Sequence, residues 1–315
     1  PAVLSVANSC SALRNGMTAI VDGSKGVVIA EPEAEVLSDY QAKAKTFAEE
    51  KAALEAFRSQ ETVTADGIKK ILACNIGSPN DVANALEHDA EAIGLFRSEF
   101  LFMDAAELPS EEEQFQAYRK VASALKGAPV IIRTLDVGGD KEIPYLHMEK
   151  EENPFMGFRA VRYCLENADQ YKVQLRALLR AGAFGDVKIM IPLVTCVEEV
   201  RAVKALVEEC KAELEAEGLK YDENIEVGVM METPAASLIA DKLAEEADFF
   251  SIGTNDLIGY TMCADRGNDH ISNLYQVYYP AVLRSIKNII ESGVKAGIMV
   301  GMCGEAAADP LLEPL

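Results

Sequence analysis

The sequence has few basic residues for its length, with 30 Lys and Arg against 51 Asp and Glu in 315 residues. The net charge of −21 argues against a basic face that binds duplex nucleic acid or an anionic membrane. Histidine is also scarce, and none of His88, His147 and His270 ends an apolar run, so none is predicted to be catalytic. Any arginine that binds an anion in this chain must therefore be placed locally.

The chain also lacks paired cysteines and long apolar runs. Its seven cysteines include no Cys-x-x-Cys pair, and their odd number predicts reduced thiols rather than a disulfide framework. No apolar run approaches the roughly 18 residues of a membrane span, and no charged-then-apolar leader begins the chain. The sequence therefore predicts a cytoplasmic protein that is neither secreted nor inserted in a membrane.

Residues 1–31 carry the signals of short strands and turns. Thr18–Val21 and Val27–Ala30 flank an Asp-Gly and a Lys-Gly, which predicts a β-hairpin. Residues 32–62 are predicted to be a helical linker, because Glu33–Asp66 contains neither Gly nor Pro and is rich in helix formers. Since Pro1 rather than Met begins the sequence, we expect the chain to start partway into a longer protein.

From Lys69 onward, short apolar runs alternate with amphipathic stretches of helical length. The seven runs are Ile71–Ile76, Ala92–Phe96, Val130–Ile132, Ile189–Leu193, Val227–Met231, Phe249–Ile252 and Ile298–Met302. Continuous apolar strands that alternate with helices predict a parallel sheet covered by helices. Residues 63–315 are therefore predicted to be an α/β domain, either a (β/α)₈ barrel or an open doubly wound sheet.

Two observations favour the (β/α)₈ TIM barrel. No Gly-x-Gly-x-x-Gly follows the first run, which removes the usual dinucleotide-binding form of the open sheet. Reactive residue types follow nearly every run, as expected where all strand ends converge on one mouth. The eighth strand is missing, and we expect it beyond Leu315.

Arg97 and Arg133 directly follow predicted strands, and Arg159 and Arg266 lie in the segments after the third and the sixth. A single arginine at such a position could simply pair with a neighbouring carboxylate. Four of them at one barrel mouth predict an anion site, because the planar guanidinium group suits phosphate and carboxylate oxygens. The predicted ligand is a phosphorylated or carboxylated small molecule.

The last three strands also end in reactive groups. Glu232 and Asp256 end neighbouring strands and could share Mg²⁺, which takes one or two carboxylates plus substrate oxygens. They could instead act as an acid–base pair or bind arginines. Cys303 ends the seventh strand, either as an inert packing residue or as a thiol that gives its proton to a carbanion-like centre.

Seven motifs together resemble the Enzyme I family of the bacterial phosphoenolpyruvate-dependent sugar phosphotransferase system, over essentially the whole chain. They lie at Gly94–Met103, Arg133–Lys141, Glu151–Arg159, Met231–Ala235, Phe249–Leu257, Ala264–Asn268 and Gly301–Glu305. The resemblance implies a barrel that binds phosphoenolpyruvate (PEP) and Mg²⁺ and passes the phosphoryl group to a histidine on a separate swivelling domain. That histidine phosphorylates the histidine-containing phosphocarrier protein.

The resemblance also implies a role for each matching position. Arg97 and Arg133 would hold the phosphate, and Glu232 and Asp256 would hold the Mg²⁺. Asn255 and Arg266 would bind further substrate oxygens, and Arg159 would bind an additional part of the substrate. Cys303 would protonate the enolate of pyruvate. Residues 1–31 resemble the end of the swivelling domain, and family barrels are dimeric, which predicts a homodimer.

The histidine motif and the helical domain that docks the phosphocarrier are absent from this sequence, so complete phosphotransfer is not expected of this chain alone. Two other functions stay open. One is a non-catalytic module that senses PEP or mediates dimerisation. The other is a Mg²⁺-dependent lyase acting on a pyruvate enolate, which would use the same arginines, metal and acid.

Overall fold

The computed structural model describes residues 2–4, 6, 12–58, 60–139, 141 and 143–312 and divides the chain into two compact units, with the boundary after Glu61. Six cysteines are described and all are free thiols, while Cys10 lies outside the described residues. The assignment of residues 1–31 to a neighbouring domain and of residues 32–62 to a linker stays a prediction.

The first unit contains a β-hairpin and one long helix. Strand β1 (Ala19–Asp22) pairs antiparallel with β2 (Val27–Ala30), as the sequence predicts. The carboxylate of Asp22 fixes the turn, because its Oδ1 accepts hydrogen bonds from the backbone amides of Ser24 and Lys25 at 3.1 Å. Helix α1 covers Ala34–Glu55, within the Gly- and Pro-free segment.

The second unit alternates strands and helices. Its strands are β3 (Ala73–Ile76), β4 (Ala92–Arg97), β5 (Val130–Arg133), β6 (Val187–Ile191), β7 (Glu226–Met231), β8 (Phe249–Gly253) and β9 (Met299–Cys303). Its helices are α2 (Val82–Glu87), α3 (Glu99–Met103), α4 (Glu111–Ala124), α5 (Val161–Glu166), α6 (Ala168–Gly182), α7 (Val197–Ala216), α8 (Pro234–Leu238), α9 (Ala240–Leu243), α10 (Thr254–Met262) and α11 (Pro280–Ala296). Short 3₁₀ turns lie at Pro144–Leu146, Pro154–Met156, Asp269–Ile271 and Glu305–Ala308.

Strands β3 to β9 form one parallel sheet in which each strand pairs with the next along the chain. The sheet curves into a nearly closed barrel with the helices around it, which confirms the predicted TIM-barrel class. Each of the seven apolar runs contributes one strand, and the described residues contain no eighth strand of this sheet. Over the same residues, no helix is both long and apolar enough to cross a membrane.

The barrel is apolar on both faces of its strands. The larger core lies between strands and helices and includes Ile93, Phe96 and Ile132. A smaller cluster fills the barrel interior with Leu95, Ile131, Met190, Met230, Phe249 and Cys303. Because successive side chains of a strand point to opposite faces, burial on both faces produces the continuous apolar runs of the sequence.

The helices cover the sheet through apolar stripes that recur at helical spacing. Helix α7 buries Val200, Val203, Val207, Cys210 and Leu214, which recur at intervals of three or four residues. Helix α6 buries Leu175, Leu178 and Leu179 together with one amide side chain, Gln174. The packing therefore places a polar group of α6 directly against the sheet.

Candidate active site

A cavity of about 140 Å³ opens at the carboxyl ends of the strands of the second unit. All eight residues singled out from the sequence line it, namely Arg97, Arg133, Arg159, Glu232, Asn255, Asp256, Arg266 and Cys303. They come from the ends of five strands or the segments that follow them, over more than 200 residues of sequence. The fold therefore gathers the predicted residues in one place, while the role of each stays a prediction.

Arg133 is the buried arginine at the end of β5. Its Nη2 donates to Glu99 Oε1 at 2.5 Å and lies 3.0 Å from Asp136 Oδ2. Burial disfavours the charged guanidinium, yet these carboxylates outweigh it and raise the pKa of Arg133 above its usual value. The arginine is thus a permanent cation in the wall of the cavity.

Glu99 is shared by three cations. Its Oε1 also accepts from Arg97 Nε at 3.1 Å and from Lys141 Nζ at 3.0 Å, and the side chain is fully buried. Burial alone would raise the pKa of Glu99, but the charges of Arg133 and Lys141 exceed that effect and lower it. Glu99 therefore stays ionised and holds these side chains close together.

Asp136 is the second shared carboxylate. Its Oδ2 accepts from Lys141 Nζ at 2.6 Å and its Oδ1 from Arg159 Nη2 at 2.8 Å. Burial opposes the charge of Asp136, but Arg133, Lys141 and Arg159 hold its pKa well below the usual range. The sequence does not predict Asp136 and Glu99 as site residues, and Lys141 lies in a motif shared with the Enzyme I family without a definite role.

Arg159 reaches the cavity from the loop before α5. Its Nη2 lies 3.5 Å from Asp256 Oδ2, and its Nη1 donates to the hydroxyl of Tyr260 at 3.2 Å. The Tyr260 hydroxyl in turn donates to the carbonyl oxygen of Phe155, which also lines the cavity. One guanidinium group thus contacts two side chains of α10 as well as Asp136.

Glu232 follows β7 and is 2% exposed. Its Oε1 accepts from the backbone amide of Leu193 at 2.7 Å, and Leu193 adopts φ 55°, an uncommon angle for a residue other than glycine. Burial, followed by the negative charge of Asp256, raises the pKa of Glu232 to about 8. The two carboxylates repel each other in a setting that favours an added positive charge.

The donor set fits a divalent cation that shares its coordination with a ligand. Over the described residues, no group of three or more His, Cys, Asp or Glu could hold a metal ion by itself. Glu232 and Asp256 supply two carboxylates, and Mg²⁺ characteristically takes one or two together with waters and substrate oxygens. A cation at this pair would also relieve the repulsion that raises the pKa of Glu232.

Asn255 and Arg266 border the cavity from α10 and the loop after it. Asn255 Oδ1 accepts from the backbone amide of Glu305 at 3.2 Å, and its carbonyl oxygen accepts from the Tyr275 hydroxyl at 2.9 Å. The first contact orients the side-chain amide of Asn255 and leaves its N–H₂ end as a donor on the other side, whereas the second holds the backbone carbonyl of this residue. Arg266 brings a fifth cation to the lining.

Cys303 ends β9 inside the barrel and is 7% exposed. Burial is the main reason why its pKa is raised, although the Ser251 hydroxyl, 3.8 Å from its sulfur, acts in the opposite direction. Its carbonyl oxygen accepts from Thr254 Oγ1 at 2.9 Å. The thiol therefore keeps its proton at neutral pH while facing the cavity.

Comparison with known proteins gives the same family as the motifs. The family described as PEP-utilising enzyme, PEP-binding domain, matches residues 51–315. The chain belongs to this family. It is 50% identical to the phosphoenolpyruvate-protein phosphotransferase of Priestia megaterium, over 100% of this chain and 55% of that protein.

The relatives from Geobacillus stearothermophilus and Bacillus subtilis (strain 168), which carry the same name, are 50% and 48% identical. Both alignments cover 100% of this chain, and 54% and 55% of the respective relatives. The resemblance to Enzyme I seen in the sequence is thus confirmed, and the chain spans about 55% of the length of the curated relatives it matches.

Proposed function

We propose that this chain binds PEP together with Mg²⁺ and forms the site from which the phosphoryl group passes to a histidine on another domain. The observation that carries the proposal is the single cavity lined by all eight predicted residues, with five cations against three carboxylates. This excess of positive charge suits a small anion with a phosphate and a carboxylate. The positive charge is confined to the cavity lining, because the chain as a whole has a net charge of −21.

Arg97 and Arg133 would hold the phosphate. They are paired residues at the ends of β4 and β5, and Arg133 Nε is buried without a hydrogen-bond partner among the described residues. The Arg97 side chain is 38% exposed and that of Arg133 is 7% exposed. A phosphate between them would face the cavity opening, where a histidine could approach in line.

Glu232 and Asp256 would hold the cation, and Arg159, Asn255 and Arg266 would bind further substrate oxygens. When bound, Mg²⁺ would neutralise charge on the phosphate and on the departing enolate oxygen. The protein groups around it need little movement, because Glu232 is fixed by the Leu193 amide. Positioning and charge stabilisation are the main requirements of phosphoryl transfer.

Cys303 would complete the reaction as a proton donor. The bond between phosphorus and the enol oxygen breaks, the phosphoryl group goes to the histidine nitrogen, and the enolate remains. Its methylene carbon then takes the proton of the Cys303 thiol, which gives pyruvate and a thiolate that regains a proton from water. The raised pKa of Cys303 keeps the proton in place until this step.

Transfer of labelled phosphate tests the proposal. The chain is mixed with Mg²⁺, PEP labelled on phosphorus and a separately expressed histidine-bearing domain of the family, and label on that domain is measured. We expect transfer with the wild-type chain and none with Asp256→Asn. Binding without transfer would support a sensing module instead, and cleavage of a carbon–carbon bond in an added 2-oxo acid would support a lyase.

We further propose that the phosphocarrier protein is the eventual acceptor and that the protein acts in the cytoplasm as a homodimer. The proposed acceptor is supported by the relatives named phosphoenolpyruvate-protein phosphotransferase, to which about half of the residues of this chain are identical. Analytical ultracentrifugation of the chain would decide its oligomeric state.

A further inference from the structure

A buried amide side chain lies behind the cavity and contacts both arginine-bearing strand ends. Gln174, on α6, is 1% exposed. Its Nε2 donates to Ser98 Oγ and to the Tyr118 hydroxyl, each at 3.1 Å, and its Oε1 accepts from the backbone amide of Leu135 at 2.9 Å. Ser98 Oγ donates to the carbonyl oxygen of Arg133 at 2.6 Å. Both hydrogens and the oxygen of the amide are thus in use.

These contacts fall just beyond the two strands. Ser98 follows Arg97 directly, and Leu135 lies two residues after Arg133. The two arginines are partners in the parallel ladder, but the pairing of β4 with β5 stops there. Beyond this point the spacing of the two chain segments depends on side chains, and Gln174 with Ser98 connects both.

We propose that Gln174 is a positioning residue that sets the spacing of Arg97 and Arg133 for the phosphate of PEP, an inference that rests on the proposed function. Gln174 does not line the cavity and would touch no substrate atom. Its effect passes through the backbone on which the two guanidinium groups are mounted. A displacement of about 1 Å at such a group can cost on the order of 100-fold in activity.

The chain offers a matched control for a purely structural role. Gln114, on α4, is also 1% exposed, donates through Nε2 to the carbonyl oxygen of Pro109 at 2.8 Å and accepts from the Tyr118 hydroxyl at 3.2 Å. It therefore belongs to the same polar cluster. Among the described residues, no hydrogen bond or ion pair joins Gln114 to the ends of β4 or β5, so its loss should lower stability without moving the arginines.

Calorimetry with two ligands tests the inference. Gln174→Met and Gln114→Met keep an unbranched buried side chain, and each is titrated with PEP and with oxalate in the presence of Mg²⁺. Oxalate has two carboxylates but no phosphate. We expect Gln174→Met to bind PEP about 10- to 100-fold more weakly and to bind oxalate with nearly wild-type affinity. Gln114→Met should bind both ligands like the wild type while unfolding at a lower temperature.

Equal losses for both ligands in Gln174→Met, or the same PEP affinity in Gln174→Met and Gln114→Met, would overturn the inference. If Gln174→Met does not fold, Ser98→Ala serves in its place, because it removes the bond to the Arg133 carbonyl with a smaller change of volume. The same selective loss of PEP binding is expected there, and its absence would also overturn the inference. Failure of the wild-type chain to bind PEP would instead overturn the proposed function, and this inference with it.

Discussion

At the scale of single residues, the cavity is organised by two carboxylates that face cations rather than a ligand. Glu99 and Asp136 together contact Arg97, Arg133, Lys141 and Arg159. Without them, four positive groups would crowd one buried region, and burial of uncompensated charge is costly. The carboxylates keep the cations in place before any substrate arrives.

Replacing the thiol of Cys303 should separate binding from chemistry. Cys303→Ser nearly preserves volume but removes an acid of suitable pKa, so pyruvate formation should fall by about 100-fold or more. PEP affinity, measured by calorimetry, should change little. Pyruvate release is followed with the chain supplied with a separately expressed histidine-bearing domain.

Cys210→Ser is the control for this prediction, because Cys210 is buried in α7 and does not line the cavity. It should form pyruvate at the wild-type rate. If Cys303→Ser also forms pyruvate at that rate, Cys303 is a packing residue of the barrel interior and another group provides the proton.

The sequence predicted which residues would meet but not how they pair. Most of the predicted lining residues could be found because they stand at the ends of apolar runs, and parallel strands end at one mouth. Glu99 and Asp136 follow the same runs, yet nothing local distinguishes a carboxylate that binds substrate from one that binds an arginine. The pair Glu99–Arg133 joins residues 34 apart and depends on the register of β4 with β5.

At the scale of elements, the turn after β9 fixes the edge of the cavity. Gly304 adopts φ 90° and ψ 179°, which is essentially restricted to glycine, and an added Cβ would lie 2.2 Å from Thr254 Oγ1. Thr254 begins α10, the helix that carries Asn255 and Asp256. The turn after β9 thus fixes the start of α10, the helix that follows the neighbouring strand β8.

Gly304→Ala should therefore displace α10 and weaken the binding of PEP with Mg²⁺ by about 10-fold or more. Gly297→Ala is the matched control, since Gly297 also has a positive φ of 75° but has no atom within 4 Å of the added Cβ. It should cost about 1–2 kcal/mol of stability and leave the affinity unchanged. Calorimetry and thermal unfolding of both variants provide the comparison, and equal affinities would contradict the role assigned to this turn.

The strands themselves were predictable because burial on both faces makes their sequences apolar throughout. The first and last residues of the strands were less predictable, as β6 shows. It starts two residues before the predicted run, because Lys188 lies in the strand and its ammonium group pairs with Asp186 at 3.4 Å. It stops at Ile191, because Pro192 lacks the amide hydrogen needed by the ladder and Leu193 adopts φ 55°.

At the scale of the whole molecule, the charge of the chain and the charge of the cavity have opposite signs. The net charge is −21, while the lining has five cations and three carboxylates. All lining residues belong to the second unit, from Thr62 onward. Ligand binding should therefore act on the stability of this unit and leave the hairpin of the first unit unaffected.

This expectation can be measured as a ligand-linked shift in unfolding temperature. A ligand at 100 times its dissociation constant stabilises the folded state by about 2.7 kcal/mol, and about 2–4 °C per kcal/mol is typical for a unit of this size. PEP and Mg²⁺ together should thus raise the unfolding temperature of the second unit by about 5–10 °C. PEP alone or Mg²⁺ alone should give less than half of that shift. Without the cation Glu232 and Asp256 repel each other, and PEP lacks the Mg²⁺ that its oxygens would share with them.

The control variant is Asp256→Asn, which should show almost no shift from its own ligand-free baseline. In the wild-type chain, hydrogen exchange should slow at the ends of β4, β5, β7 and β8 but not in β1 and β2. An equal shift with PEP in the presence of a chelator would contradict the metal assignment.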